Sequence, residues 1–531
     1  MNKIHILLIS IVILASFLRI YKLDTVPPSI SWDEAANGYN AYTIANFGRD
    51  EYGKFFPAYF RSFADDKHPT HIYITAIFVK FFGLNEITIR LPSAVFGTLN
   101  VLLLFLLTRL LFKKDEIALA ASFFLAISPY NIHFSRFNHE ANFALFFFML
   151  GLTLFYLFLK RRGIFLPLSI LSFGVTFITY HTAKIIVPIT IFVLTILYIK
   201  EILHQKNSLI ASFIIIAIFA ILIFLNPQLL GFARFNQTIQ NNNQVEKTWL
   251  FQRTKNVWLG RINLIATQYS WHFSPEYLFI SGDKNPRLSS QVTGEFYKID
   301  AIFLILGVVY VIYKRTKESL IVLFWAFLAP LPSSLVAEAP HAARASFMMG
   351  SWHLIAALGF YFIMQLVRKA VWKVGMVMVS VGILTSLFIN YLNGYYGEYT
   401  VRYAIDWQYG MKQVVEYVKM NGDKYEQVYM TDIRSQPYIF FLFYLKTSLP
   451  EYLNTVIYNR GDSKSFSTVS IFDKYYFGGW DPIESMPYRG VLYVVSPSEY
   501  DGLRHKDEFD VKKIIYYPNG TDAFFIVSSK L

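Results

Sequence analysis

Trp32-Asp33-Glu34 follows shortly after the first apolar segment, Ile4–Leu18. A carboxylate pair just outside a bilayer is a candidate general base beside a membrane-borne substrate. It can take the proton of an acceptor hydroxyl, and the neighbouring indole can pack on a sugar or lipid ring. The same residues also read as a helix start, with Ser31 as cap and acids in the first turn favoured by the helix dipole.

A second group is Asp65-Asp66-Lys67-His68-Pro69, followed by Phe82-Gly83-Leu84-Asn85-Glu86 and Arg90-Leu91-Pro92-Ser93-Ala94. A lysine beside a histidine at a membrane edge could hold a phosphate; the plainer reading is a solvated turn. Next come His133, Ser135-Arg136-Phe137, His139 and Glu140, a cation, two imidazoles and a carboxylate packed between two apolar segments. Ionisable groups at such positions are functional candidates, although Arg136 and Glu140 also stand at the spacing of a helix-capping ion pair. Tyr180-His181-Thr182-Ala183-Lys184, Trp271-His272, Gly282 to Arg287 and Glu338 to Arg344, with His341, complete the set. A lone interfacial His or Lys is more often a snorkelling residue than a ligand. Several such groups on one side of a membrane favour a site for an anionic, lipid-linked substrate.

The elements that must position these groups are mostly apolar helices. Of 531 residues 54% are hydrophobic and 16% charged, and the mean hydropathy is +0.38, which is the pattern of an α-helical polytopic membrane protein. Eleven spans are expected, near 4–20, 91–112, 117–130, 141–159, 164–180, 185–199, 208–225, 300–313, 319–336, 346–366 and 371–391. The first reads as a retained anchor, since no small-x-small cleavage pattern follows it. With the N-terminus inside, the cytoplasmic side carries 14 basic residues against Asp115, Glu116, Glu201 and Glu318, which accounts for much of the net charge of +13. Nucleic acid is therefore not needed as a partner to explain the basicity. The apolar stretch 70–82 would invert this pattern if it spanned, so an amphipathic helix on the outer surface is expected there.

This topology puts the candidate residues on one extracytoplasmic face of the plasma (inner) membrane. It gives a transmembrane catalytic domain over 1–391, with a first outer loop 21–90 and a large outer loop 226–299. A small extracytoplasmic α/β domain follows over 392–531. There Ile405–Met420 has helical periodicity, and Gln427–Thr431, Val491–Val495, Lys513–Tyr517 and Ala523–Val527 read as strands, with a turn at Pro518-Asn519-Gly520. The chain has no cysteine, which excludes disulfides and Cys-ligated zinc.

In series, these motifs resemble the GT-C glycosyltransferases, in the branch of protein O-mannosyltransferases and lipid A aminoarabinose transferases. The matching features are the acidic pair Asp33-Glu34, the Lys67-His68-Pro69 element before a surface helix, Phe82–Glu86, Arg90–Ala94, and Arg136 with Glu140. His68 stands where the family often has Pro, and the carbohydrate-associated repeats of eukaryotic O-mannosyltransferases are missing. The resemblance implies a GT-C fold and a hexosyl- or pentosyltransferase. It would move a sugar from a polyprenyl-phosphate donor to a lipid, glycan or protein acceptor, with inversion. On that analogy Asp33 is the base and Glu34 orients the acceptor or tunes the base. Lys67, His68, Arg136, His272 and Arg344 contact the donor phosphate, with Trp32, His139, Glu140, His181, Lys184 and His341 in support. No spacing demands a metal, although Asp33, Glu34 and nearby histidines could hold a divalent ion. No glycine-rich phosphate loop is present.

The rival from another class is a polyprenol-linked glycan flippase or transporter. Transporters place polar groups at the midplane and often show repeats, and neither feature is visible. An oligosaccharyltransferase is a second rival, but its double-Trp-Asp motif is missing; Phe477-Gly478-Gly479-Trp480-Asp481 resembles it only superficially.

Overall fold

The computed structural model describes residues 3–63, 65–231, 238–459, 465–480 and 488–530. Asp481 of the Gly-Gly-Trp-Asp run lies outside the described residues. The chain forms two compact units, one made of Met1–Tyr21, His68–His71 and Ser93–Tyr395, the other of Lys22–Lys67, Ile72–Pro92 and Tyr396–Leu531. The first outer segment, grouped by sequence with the membrane portion, thus belongs largely with the C-terminal region. Its apolar face has somewhere to go only there, as the packing below explains.

The first unit is helical. Its helices are α1 (Lys3–Ile20), most of α4 (Glu86–Phe112), α5 (Asp115–Ile127), α6 (Pro129–Phe134), α7 (Glu140–Arg161), α8 (Phe165–Phe177), α9 (Ala183–Leu197), α10 (Ile199–Leu203) and α11 (Lys206–Leu225). Further helices cover Val257–Trp271, Asp300–Lys314, Lys317–Leu328, Met348–Leu366 and Ala370–Asn393. Each of the eleven expected spans falls on helix. By length and apolarity, six helices among the described residues could cross a membrane: Lys3–Ile20, Glu86–Phe112, Glu140–Arg161, Lys206–Leu225, Met348–Leu366 and Ala370–Arg402. The expected span 117–130 breaks at Ile127, where Ser128 accepts from Asn131 N and Pro129 opens α6, because proline cannot supply the N–H that would continue α5. Met348–Leu366 is kinked at Met349 and Gly350, the latter at φ 86°, a region open to glycine.

The second unit carries α2 (Trp32–Phe47), most of α3 (Pro69–Phe82) and the hairpin β1 (Phe60–Ser62) and β2 (Asp65–Lys67). At 14 residues, α3 is shorter than the ~20 that a span needs. It buries Ile72, Ala76 and Val79 and exposes Ile77, Phe81 and Phe82. The main sheet has seven strands: β3 (Gln427–Thr431), β4 (Ile457–Tyr458), β5 (Val469–Phe472), β6 (Tyr475–Gly478), β7 (Val491–Val495), β8 (Phe509–Tyr516) and β9 (Asp522–Ser529). Their spatial order is β4-β5-β6-β3-β7-β9-β8. β3 runs parallel to both β6 and β7, and the outer pairs are antiparallel. The helix expected over 405–420 starts only at Met411, after Gly410 at φ 101°. Residues 403–410 turn instead, with Trp407 buried and its indole N–H donating to Tyr399 Oη at 2.7 Å.

One core joins this unit. Ala35, Ala36 and Tyr39 of α2 pack with Phe440 and Phe443 of helix Pro437–Leu445, Val414 and Val418 of helix Met411–Asn421, and Val428 and Met430 of β3. Gly38 lets α2 approach: a Cβ there would stand 2.7 Å from the Phe443 ring. The C-terminal sheet is therefore the platform on which the Asp33-bearing helix is set.

Candidate active site

The start of α2 is a closed capping box. Ser31 is extended at φ −77°, ψ 165°; its Oγ accepts from Glu34 N at 3.3 Å, and Glu34 Oε2 accepts from Ser31 N at 3.2 Å. Glu34 is fully buried against Arg90, with Nε to Oε1 at 2.9 Å and Nη2 to Oε2 at 3.1 Å. Arg90 also donates to the carbonyls of Leu23, Pro27 and Ser29. Its five N–H donors thus meet five acceptors, the arrangement that lets a guanidinium be buried. Glu34 is an anchor that ties the α2 N-terminus to the Leu23–Ser29 turn.

Asp33, one residue earlier, has the opposite setting. Its side chain is 37% exposed, and Oδ1 lies 2.9 Å from Lys67 Nζ. Lys67 ends β2, where the hairpin register pairs it with Phe60. A carboxylate in the first turn of a helix, next to an ammonium, is favoured by the dipole and by its partner. An ionised, reachable carboxylate is what a general base requires. Trp32 packs partly buried against the core. With Asp33 held by Lys67 and Glu34 by Arg90, the two acids do not converge on a metal. Among the described residues no group of three His, Cys, Asp or Glu side chains does so.

The same unit holds a carboxyl the sequence reading passed over. Glu51 is buried, accepts from Asn40 Nδ2 at 2.9 Å and from Tyr438 Oη at 3.0 Å, and is pushed up to about 7 by burial. The only sequence signal was a second acid pair, Asp50-Glu51, just before Tyr52.

In the helical unit the remaining candidates fall into three sets. Arg136 is buried and donates to Leu18 O at 2.7 Å and Tyr21 O at 2.6 Å, closing the last turn of α1, where a cation is favoured. Beside it in sequence, His139 caps α7, its Nδ1 accepting from Ala141 N at 3.1 Å and lying 3.9 Å from Glu140 Oε2. The second set is His68, His181 and Lys184: the imidazole rings meet edge-on at 4.4 Å, and Lys184 Nζ contacts His68 Nε2. The third lies on the later loops. Arg344 Nη2 is 3.5 Å from Glu338, Arg344 N donates to His341 Nδ1 at 3.3 Å, and Asp283 Oδ2 accepts from Ala342 N at 2.6 Å. Burial pushes Asp283 up to about 6.

His272 stands at the end of the helix Val257–Trp271. Its Nδ1 faces Gln268 O at 2.9 Å, and burial holds the ring at about 4. A carbonyl only accepts, so the single proton of the neutral ring sits on Nδ1.

Residues 66–224 match the family of dolichyl-phosphate-mannose-protein mannosyltransferases. A putative mannosyltransferase, YkcB of Bacillus subtilis, is 27% identical over 158 residues, 29% of this chain; the match spans 21% of that relative's length. Among solved structures, apo ArnT from Cupriavidus metallidurans superposes with a TM-score of 0.58 at 13% identity, covering 98% of this chain and 97% of the other. ArnT bound to undecaprenyl phosphate gives 0.57 at 12% identity, with the same coverage. The Archaeoglobus fulgidus oligosaccharyltransferase in its apo form gives 0.54 at 14%, over 98% of this chain and 74% of the other. The GT-C fold expected from the motifs is met by these superpositions.

Proposed function

We propose that this GT-C-fold chain is a membrane glycosyltransferase that moves a sugar from a polyprenyl-phosphate donor to an acceptor hydroxyl at the outer face of the membrane. The observation that carries the reading is the contrast within one helix turn. Glu34 is consumed by the fold, while Asp33 is left part-exposed and paired with Lys67. Asp33 takes the acceptor's proton as the acceptor oxygen attacks the anomeric carbon. The bond from that carbon to the phosphate oxygen breaks on the opposite face, its electron pair stays with the phosphate, and the anomeric configuration inverts. Lys67 keeps the base charged and aimed. His68, Lys184 and Arg136 are the cations we assign to the lipid phosphate, whose growing negative charge must be stabilised as it leaves. Support for the donor class comes from the matching mannosyltransferase family and from the neighbour that binds undecaprenyl phosphate.

The test is sugar transfer in proteoliposomes from a panel of radiolabelled polyprenyl-phosphate monosaccharides, with wild type and Asp33→Asn. Transfer or donor hydrolysis that vanishes in Asp33→Asn while donor binding persists is the expected outcome. Donor carried across the bilayer with no transfer, equally in both proteins, would replace this reading with a transporter.

A further inference from the structure

Lys184, at the start of α9, is part-buried and faces a second base. Its Nζ lies within hydrogen-bond distance of three acceptors: His68 Nε2, Phe177 O at 2.8 Å and Tyr180 O at 3.2 Å. The surroundings are basic. His181 packs edge-on against His68, the charge of His71 bears on the same ring, and the Leu229 carbonyl adjoins it. Glu140 is the acid whose charge acts on Lys184. His68 is 2% exposed. Burial first, then Lys184, His181 and His71, hold its imidazole well below the usual histidine range.

An N···N hydrogen bond needs one donor and one acceptor, and carbonyls only accept. Lys184 therefore gives two N–H groups to Phe177 and Tyr180, and two arrangements remain for the third contact. An ammonium donates to Nε2, and His68 keeps its proton on Nδ1. A neutral amine instead accepts from Nε2–H through its lone pair. The two forms satisfy the same three contacts of Lys184 and differ by one proton and one positive charge. A buried charge is costly until an opposite charge stands beside it.

We propose that Lys184 and His68 form one proton-sharing site that takes up a proton when the phosphate of a prenyl-phosphate substrate binds, so that the cluster turns cationic as the anion arrives. This rests on the glycosyltransferase reading. It adds to that reading how the phosphate is recognised, and names Lys184 as the residue that sets the charge of the pocket. During transfer the phosphodiester becomes a monoester and gains a negative charge, the acceptor's proton goes to Asp33, and the proton of the pair stays where it is to offset that charge.

The probe is a prenyl methyl phosphodiester, whose single charge does not change with pH. Its binding to the full-length protein in detergent is measured from pH 6 to 9 by calorimetry in buffers of different ionisation enthalpy. The expected result is uptake of up to one proton, with affinity falling toward about tenfold per pH unit as pH rises. Lys184→Arg should bind without that slope, because a guanidinium does not release its proton. Lys184→Met should lose both affinity and slope; should it fail to fold, the arginine variant carries the comparison. Binding by wild type without proton uptake, or a slope retained in Lys184→Arg, overturns the proposal while leaving the glycosyltransferase reading standing. Inorganic phosphate binding as tightly as the lipid would overturn the assignment to a lipid phosphate. No binding of the prenyl probe at any pH would remove both readings together.

Discussion

At the start of α2, acid meets base. Glu34 closes on Arg90 out of solvent, and Asp33 rests on Lys67 at the surface. In the helical unit, Lys184 meets another base, His68, with His181 edge-on. The first region has its charges balanced within the chain, so its geometry can be fixed before any substrate arrives. The second sets a lysine against a histidine, and we read it as the receptor for the phosphate. A transferase needs both kinds of region: a base whose position is fixed, and an anion site whose charge is matched only by the leaving group.

The largest effect should come from the more exposed acid of the α2 pair. Asp33→Asn keeps the shape and removes the base, so turnover should fall by roughly 10²–10⁴-fold while the melting temperature barely moves. Glu34→Gln should do the reverse, lowering stability while leaving measurable transfer in whatever protein remains folded. If Glu34→Gln instead abolished turnover in fully folded protein, the division of labour between the two acids would be wrong.

Next in size is the buried partner. Arg90→Met leaves Glu34 as an uncompensated buried charge, which typically costs about 3–5 kcal/mol. Thermal unfolding in detergent should report that loss, and Arg90→Met with Glu34→Leu should recover much of it. A single variant as stable as wild type would mean that the pair does not hold the helix start.

Glu51 is the exception inside the balanced region, since its partners are an amide and a phenol. Its folded value of about 7 lies above the ordinary glutamate value of 4.5. The folded state therefore binds more protons between those values, and stability should be fully present below about pH 4.5 and decline as pH rises toward 7. The total is about 3 kcal/mol. Glu51→Gln should flatten that decline and be the more stable protein above pH 7. Melts at pH 4 to 8 that keep the same slope in the variant would remove Glu51 as the cause.

The sequence disclosed what is local. Long apolar runs marked the helices, Ser31 with Glu34 marked a helix start, and β3 and β7 fell on their expected residues because short β-branched runs flanked by turns carry their own signal. Pro437–Leu445 did not show itself. Its residues from Pro437 to Phe443 are all buried, and a helix buried on every face has no amphipathic period. β4, β5 and β6 are two to four residues long and owe their existence to pairing with one another and with β3. The site divided along the same line. Asp33 was legible as an acid near a membrane, but Arg90 reaches Glu34 across 56 residues and Tyr438 reaches Glu51 across 387. Those contacts decide which acid is free to react.

The smallest effect tests whether charge matching matters where water is present. Lys412 Nζ lies 2.8 Å from Glu86 Oε1, linking helix Met411–Asn421 to the start of α4, and the lysine side chain is 43% exposed. A pair this open to solvent is worth roughly 0–1 kcal/mol and weakens with salt. Lys412→Met should therefore shift the melting temperature slightly at low ionic strength and not at all at high. The contrast with Arg90→Met is the point: both remove a cation from a glutamate on α4 or α2, yet only the buried one is expected to loosen the helix start. A loss at Lys412 as large as that at Arg90, unaffected by salt, would show that the sheet platform and not the buried pair sets the position of Asp33.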